Sequence, residues 1–311
     1  MPLLKKKHVL AAKIETTSGT AESLTASEAA FNVFDLNMQP TIAFTERQGN
    51  GSFSQMPAVR ELMGGTCTFR TEVYGDGAGG VPGWASTFLP ACGWTNSTGT
   101  FSPKSEAPGS NVKTLTMGAY IDGKRHLMRG CAGTFMLNFE TGKLASIDWT
   151  FTGVWVSTAD VTILAPTYPT ALPLRVANST FTIGSWSPCF QNLSIDAGNE
   201  VFLRECATNT DGSGYAAAII TGRKVTGSIN PESTLIATQD NYGDWIASTE
   251  AAFSFAIENA TDKVTVAMPK FQITNLQEGE RNGVVTDEIT FQANRSAAAG
   301  NDELTIAFAA P

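Results

Sequence analysis

Histidine is almost missing from this sequence: its 311 residues include only His8 and His126. A catalytic centre or metal cluster built on imidazole therefore has at most two candidates, and His8 lies in a basic leader. Cysteine is present five times, as Cys67, Cys92, Cys131, Cys189 and Cys206, an odd number without CxxC spacing. Neither a zinc site nor a complete disulfide framework is expected, and reduced thiols of a cytoplasm fit the pattern. Charge is scarce at 16%, and what there is leans acidic, 21 basic against 29 acidic residues for a net of −8. That balance excludes binding a nucleic-acid backbone by charge neutralisation.

Long apolar runs are lacking too. Lys5 to Lys7 are followed only by Val9 to Ala12 before Lys13, too short for the core of a signal peptide. The longest uncharged stretch, between Asp76 and Lys104, is interrupted by glycine and proline, so no membrane-spanning helix is expected. Long amphipathic helices are absent, the best short candidate being Trp84 to Cys92 with Pro90 inside it. The basic run at Lys5 to Lys7 reads as a solvated tail.

What the chain does have is alternation. From Ser146 to Val156 the odd positions hold Ile147, Trp149, Phe151 and Trp155, while Ser146, Asp148, Thr150 and Thr152 occupy the even ones. A period of two is the mark of a half-buried strand in an antiparallel sheet with one wet face. The same pattern runs through Thr66 to Val73 and Thr134 to Glu140. Asp122-Gly123, between Leu115–Ile121 and Lys124–Arg129, suits a type I′ hairpin turn.

The second half repeats this order. Phe34 to Phe44 aligns without gaps on Leu193 to Leu203, and the strand at Thr66 finds a counterpart at Lys224 to Asn230. Phe253 to Ala267 forms a hairpin turning at Asn259 to Asp262, Phe135 and Leu137 match Phe271 and Ile273, and Asp148 to Phe151 match Glu288 to Phe291. A duplicated β-domain explains this collinear order better than chance alternation. The boundary is expected in the proline-rich segment 165–173, giving domains 1–165 and 166–311, the first with an insertion at about 75–112. The acidity belongs to the second half: 13 basic and 13 acidic residues precede the boundary, 8 and 16 follow it.

Motifs for chemistry fail on context. Gly75 to Gly80 satisfies GxGxxG, but Pro82 and Gly83 follow and no acid occurs between Asp76 and Glu106, whereas a dinucleotide site needs a long helix and an acidic residue about 20 positions on. No GxSxG elbow, P-loop, HExxH or EF-hand pattern appears. Glu278 with Glu280, Asp287 with Glu288, and Asp196 to Glu200 read as solvated turns, and His126 as a surface or packing residue. No enzyme activity, cofactor or metal is expected. The polar faces of the alternating strands are rich in threonine and asparagine, which fits a wall lining a confined aqueous channel and fits an ordinary low-charge β-surface equally.

Taken along its length, the chain resembles the tail tube (major tail) proteins of long-tailed bacteriophages. The resemblance rests on Lys13-Ile14-Glu15-Thr16, Glu46-Arg47, Leu62 to Gly65, Leu89 to Gly93, Tyr120 to Gly123, Ala132 to Thr134 and Trp149 to Gly153. In the second half it adds Asp196 to Asn199 and Gly300 to Leu304. It implies a mainly β fold of two tandem tail-tube-like β-sandwich or barrel domains with few short helices. It also implies a virion protein, made in the host bacterial cytoplasm, whose rings stack into a tube that conducts DNA from capsid to host.

A duplicated chain would supply two of six ring positions, giving trimeric, pseudo-hexameric rings that meet other tail proteins such as terminator, tape measure and tip, with DNA in non-specific transit and no membrane involved. Candidate channel-facing residues are Asp148, Thr150, Thr152, Glu288, Thr290 and Gln292. Candidate inter-ring contacts are Arg47, Gln48, Phe53, Arg60, Thr210, Asp211 and Tyr215. The competing readings are a tail hub or tail-end protein of the same fold, and a β-sandwich carbohydrate-binding adhesin with Trp84 and Trp94 in its cleft.

Overall fold

The fold is described from a computed structural model, over residues 3–49, 51, 53–105 and 112–311. It is mainly β. The chain first forms β1 (His8–Ile14), a 3-10 turn (Ala26–Ala29), β2 (Val33–Gln48), β3 (Gln55–Glu72), α1 (Gly83–Ala91), β4 (Trp94–Ser97) and β5 (Thr100–Pro103). It continues through β6 (Leu115–Ile121), β7 (Lys124–Glu140) and β8 (Ser146–Asp160). After an irregular stretch come β9 (Thr180–Ile183), β10 (Phe190–Asp196), β11 (Asn199–Glu205), β12 (Tyr215–Arg223) and β13 (Thr226–Pro231). The last elements are α2 (Asn241–Ala247), β14 (Glu250–Glu258), β15 (Lys263–Arg281), β16 (Val284–Ala293) and β17 (Thr305–Ala309).

The expected hairpins form where the turn chemistry permits them. Asp122 and Gly123 both take positive φ, 42° and 99°, the geometry that lets a two-residue turn follow the twist of β6 and β7. Between β14 and β15 the Asn259 side chain accepts from the amides of Thr261 and Asp262 at 2.9 and 2.8 Å, closing the turn locally. The stretches expected as separate strands at Lys124–Arg129 and Thr134–Glu140 are one 17-residue strand, β7. Its irregular pairing with β8 between Arg129 and Ala132 keeps the two registers compatible.

Hydrogen bonding follows the same order in both halves of the chain. One series runs β2-β3-β8-β7-β6-β1 and the other β10-β13-β16-β15-β14-β9, all antiparallel. β10 also pairs with β7, so β2-β3-β8-β7-β10-β13-β16-β15 makes a continuous path of eight strands. The long strands β7 and β15 serve two layers: their first parts pair with β6 and β14, and their last parts belong to the eight-stranded path.

One face of that path carries the core. Trp149 lies 5.4 Å from Phe135, 5.4 Å from Phe88 of α1 and 6.3 Å from Phe69. Phe253, Phe271 and Phe291 stack on one another in the second half. Phe139 and Phe255, 4.8 Å apart, tie the two groups into a single hydrophobic cluster.

The insertion at about 75–112 packs into the core. Trp84, Phe88, Trp94 and Phe101 from this segment are all 1% exposed or less. β5 pairs with β17 near the far end of the chain. Its apolar side chains had no other partner large enough to bury them. Residues 106–111 of that segment, Glu106 included, lie outside the described residues.

Truncation on the two faces should separate cleanly. Trp149→Ala is expected to lower unfolding stability by about 3–5 kcal/mol, whereas Thr150→Ala, one position along on the opposite face, should change it by no more than about 0.5 kcal/mol. Urea unfolding monitored by far-UV circular dichroism reads both.

Candidate functional site

The face opposite the core holds all six channel candidates and is open along the eight-stranded path except past Thr152, where the β11–β12 hairpin lies over Val154 and Gly64. Asp148, Thr150 and Thr152 alternate along β8 with the buried Trp149 and Phe151, and Glu288, Thr290 and Gln292 do the same along β16 with Ile289 and Phe291. Cross-strand pairing sets these side chains in rows. One row reads Phe34, Arg70, Asp148, Met136, Asp196, Thr226, Gln292 and Gln272 from β2 to β15. The next reads Glu72, Ser146, Asn138, Ser194, Ser228, Thr290 and Asn275.

Two details of the sequence alignment change. Asp148 stands opposite Arg70 on β3, and the residue in the corresponding place on β16, opposite Ser228 on β13, is Thr290 rather than Glu288. β15 carries a bulge between Ile273 and Asn275 and β2 one between Phe34 and Asn37, and a gapless comparison cannot register such insertions. Asp148 is also not a free charge. Its Oδ1 accepts from Arg70 Nε and its Oδ2 from Asn138 Nδ2, both at 2.7 Å, so it is neutralised across the strands. Among the described residues Glu288 accepts from the Thr286 hydroxyl, at 3.0 Å, and has no basic partner.

The charge on this face is small and negative. Arg70 pairs with Asp148 and with Asp35 at the β2 bulge, Lys143 pairs with Glu140, and Glu72, Asp196 and Glu288 have no basic partner among the described residues. Threonine, serine, asparagine and glutamine fill the rest. Gln292 donates to Gln272 and Asn294 at 3.1 and 3.0 Å, and Ser194 and Ser228 are hydrogen-bonded at 2.9 Å. These side chains satisfy one another and need no bound ion. Among the described residues no group of three or more His, Cys, Asp or Glu is placed to hold a metal, and no helix is long and apolar enough to cross a membrane.

The remaining candidates divide between two hairpins. Arg47 and Gln48 sit near the end of the long β2–β3 hairpin, paired with Met56 and Gln55, and Phe53 is at its exposed tip. Phe44, Met56 and Val59 are exposed on the same hairpin. Thr210, Asp211 and Tyr215 belong instead to the β11–β12 hairpin, which folds back over β7 and β8 and is spent within the chain. Arg60 joins the two hairpins by donating to Gly212 O at 3.2 Å.

Arg129 on β7 holds the folded hairpin down. Its guanidinium donates to Gly19 O at 2.6 Å, Ala216 O at 2.7 Å and Tyr215 O at 3.3 Å, and pairs with the Asp211 carboxylate. Next to it, Gly130 has φ +57°, and a Cβ there would lie 2.9 Å from the Cα of Ala217, so only glycine admits so close an approach. Glu15 is buried beside this clasp and accepts from Gly19 N, Gly130 N, Thr114 Oγ1 and Thr116 Oγ1 at 2.7–2.9 Å. Sequence reasoning missed both residues, because an isolated arginine and an isolated glutamate carry no spacing signal.

Two other candidate features close off. The Gly75–Gly80 loop has its amides occupied by carboxylates: Asp76 Oδ1 accepts from Ala78 and Gly80, and Asp262 Oδ1 from Gly77 and Gly79, at 2.7–3.1 Å. It therefore offers no phosphate cradle. Trp84 and Trp94, the expected sugar-binding pair, are core residues at 1% and 0% exposure, which removes the adhesin cleft. His126 is bonded to Thr158 Oγ1 at 2.9 Å and packs on Trp155. Burial and the nearby Lys124 lower its pKa from the usual 6.5.

A family model described as phage tail tube protein matches residues 6–293. A search of curated proteins found no match.

The clasp makes a pH prediction. Burial raises the Asp211 pKa, but the hydrogen bonds from Arg129 and from the Ser213 amide and hydroxyl outweigh it, and the net shift is downward from 3.8. A lowered folded-state pKa means that the carboxylate's contribution is complete above the unfolded value and is lost as pH falls below about 4. Asp211→Asn should remove that part of the acid sensitivity, and Arg129→Ala, which strips donors from three carbonyls, should cost about 3 kcal/mol. Urea midpoints between pH 3 and pH 7 check both.

Proposed function

The chain belongs to the phage tail tube protein family, and from that premise we propose that three copies close their sheets into a ring, that rings stack into a tube, and that DNA passes down the bore. The observation that carries this reading is the eight-stranded path with one face packed and the other open and nearly uncharged. A structural family of this kind suggests a protein that is not an enzyme. Membership implies self-assembly and contact with other tail components, and it makes the protein a component of the virion tail. The chain is one tube domain written twice, with a boundary in the irregular stretch before β9.

The geometry supports three copies. Eight strands per chain give about 24 per ring; at about 4.8 Å spacing and about 40° tilt the circumference is about 150 Å and the barrel about 48 Å across. Inward side chains reduce this to a bore of about 35–40 Å, roomy enough for a hydrated duplex. Two copies would give only about 16 strands and a bore of about 20 Å, which leaves no space for water around the DNA.

Transport follows from the chemistry of the wall. Duplex DNA carries a charge about every 1.7 Å, so a basic lining would hold it along its whole length. Thr150, Thr152, Thr290 and Gln292 offer neutral hydroxyl and amide groups, Asp148 is already paired, and Glu288 repels weakly within a Debye length of about 8 Å. The exposed end of the β2–β3 hairpin, with Arg47, Gln48, Phe53 and Phe44, makes the contact to the next ring. Its apolar side chains are covered only when the rings stack.

Two experiments test the reading. Negative-stain imaging with mass measurement of the purified protein should show rings and tubes; persistent monomers at high concentration would remove the tube function, and isolated closed rings would favour a hub. In phage carrying the double variant Thr150→Lys, Thr290→Lys, tails should assemble while DNA ejection slows at least tenfold, with the delay shrinking as salt rises. Unchanged ejection would take these residues off the wall.

A further inference from the structure

The seam between β7 and β10 has an empty counterpart at the two ends of the sheet. Within the chain, β10 lies along the last part of β7, past the point where β6 has left it. The pairs are Asn192–Glu140, Leu193–Phe139, Ser194–Asn138, Ile195–Leu137 and Asp196–Met136. On the matching side of β15, β14 ends its pairing at Gln272. Beyond it, Asn275 to Gly279 are paired only with β16 among the described residues. At the opposite end of the path β2 is paired only with β3. Two such edges on one molecule need covering.

We infer that β2 of one copy adds to this free edge of β15 in the next, repeating the internal seam in a definite register. The proposal rests on the ring reading above and specifies its joint. The register follows from matching rows. Asn37 opposes Thr68 as Asp196 opposes Thr226, and Val33 opposes Thr71 as Leu193 opposes Ile229. On the other strand, Asn275 opposes Thr290 and Leu276 opposes Ile289, in the places where Met136 opposes Asp148 and Leu137 opposes Ile147. Carrying the internal pairs across sets Asn37 against Asn275, Leu36 against Leu276, Phe34 against Gln277 and Val33 against Glu278 of the neighbour.

Side-chain chemistry agrees with this register. Leu36 and Leu276 are both on the core side, at 8% and 5% exposure, as Ile195 and Leu137 are in the internal seam. Asn37 and Asn275 both face the open side. Asp35, with φ 53°, is the extra residue of the β2 bulge, so it drops out of the pairing and leaves its carboxylate exposed, 3.9 Å from Arg70 Nη1. Phe34, 42% exposed in the single chain, gains cover from Gln277. The joint between copies is more polar than the joint within one, since Glu278 stands where the internal seam has Phe139.

Cysteine pairs read the register directly. In a Cys189→Ser, Cys206→Ser background, Asn37→Cys with Asn275→Cys places two Cα atoms about 4.5–5.5 Å apart across the joint, within disulfide reach. Mild oxidation of assembled protein should give covalent dimers and trimers on a non-reducing gel. Asn37→Cys with Glu280→Cys, displaced by about 17 Å along the strand, should give none. Met136→Cys with Asp196→Cys should link within a single chain and calibrates the oxidation.

Rings without the 37–275 link, or with equal linking at 280, would overturn this register while leaving the ring function standing; unmodified protein that never forms rings would overturn both. Hydrogen exchange on the unmodified protein decides the matter without cysteines. The amides of Leu36, Leu276 and Glu278, which point across the joint, should exchange at least a hundredfold more slowly in rings than in monomers, and equal rates would overturn the seam.

Discussion

Five residue pairs between β7 and β10 turn two separate sheets into one. The first half leaves an edge on β7 where β6 ends, and β10, the second strand after the irregular stretch, fills it. Everything that gives the molecule two unlike faces depends on this join. The core stays continuous because Phe139 meets Phe255 beneath the seam, and the open face stays continuous because Asn138 and Met136 run level with Ser194 and Asp196. Arg129 and Asp211 reinforce the join from above by pinning the β11–β12 hairpin over β7 and β8.

The two hairpins that extend from corresponding strands show how one plan is put to two uses. β2 and β3 run on unbroken into a long arm with exposed apolar side chains. In the second half the chain breaks at Asp196–Gly198, where Asp196 Oδ1 accepts from Gly198 N at 2.8 Å, and β11–β12 turns away from the sheet to cover the first half. One arm completes the fold, and the other is the one proposed above for contact between rings. The uneven distribution of charge has the same logic: residues 1–165 are neutral and residues 166–311 carry net −8, and in the proposed ring this would make the acidity alternate.

A wall for passing DNA is governed by what it omits. Attraction to phosphate is additive along a duplex, so a few unpaired cations per ring would accumulate into a brake over many rings. Arg70 on the open face is bonded to Asp148 and lies near Asp35, so its charge is matched, and most of the other side chains on this face are threonine, serine and amides. The low charge of the sequence thus has a location: the polar positions of half-buried strands that would ordinarily collect lysine and glutamate.

The period-two alternation of β3, β8 and the end of β7 was legible in the sequence, as were the Asp122–Gly123 and Asn259–Asp262 turns. So was the assignment of Thr150, Thr152, Thr290 and Gln292 to the wet side, because alternation is a local property and side-chain direction follows from it. The failure of the GxGxxG and His readings was also local. The tertiary structure alone decided the rest. Trp84 and Trp94 became core because β5 reached β17 from across the chain; Thr210, Asp211 and Tyr215 became part of a clasp because Arg129 lay beneath them; Asp148 lost its free charge to Arg70. Each outcome depends on which strand lies beside which, and a bulge of one residue is enough to move that register. Spacing along a chain records the faces of a strand but holds no record of its neighbours.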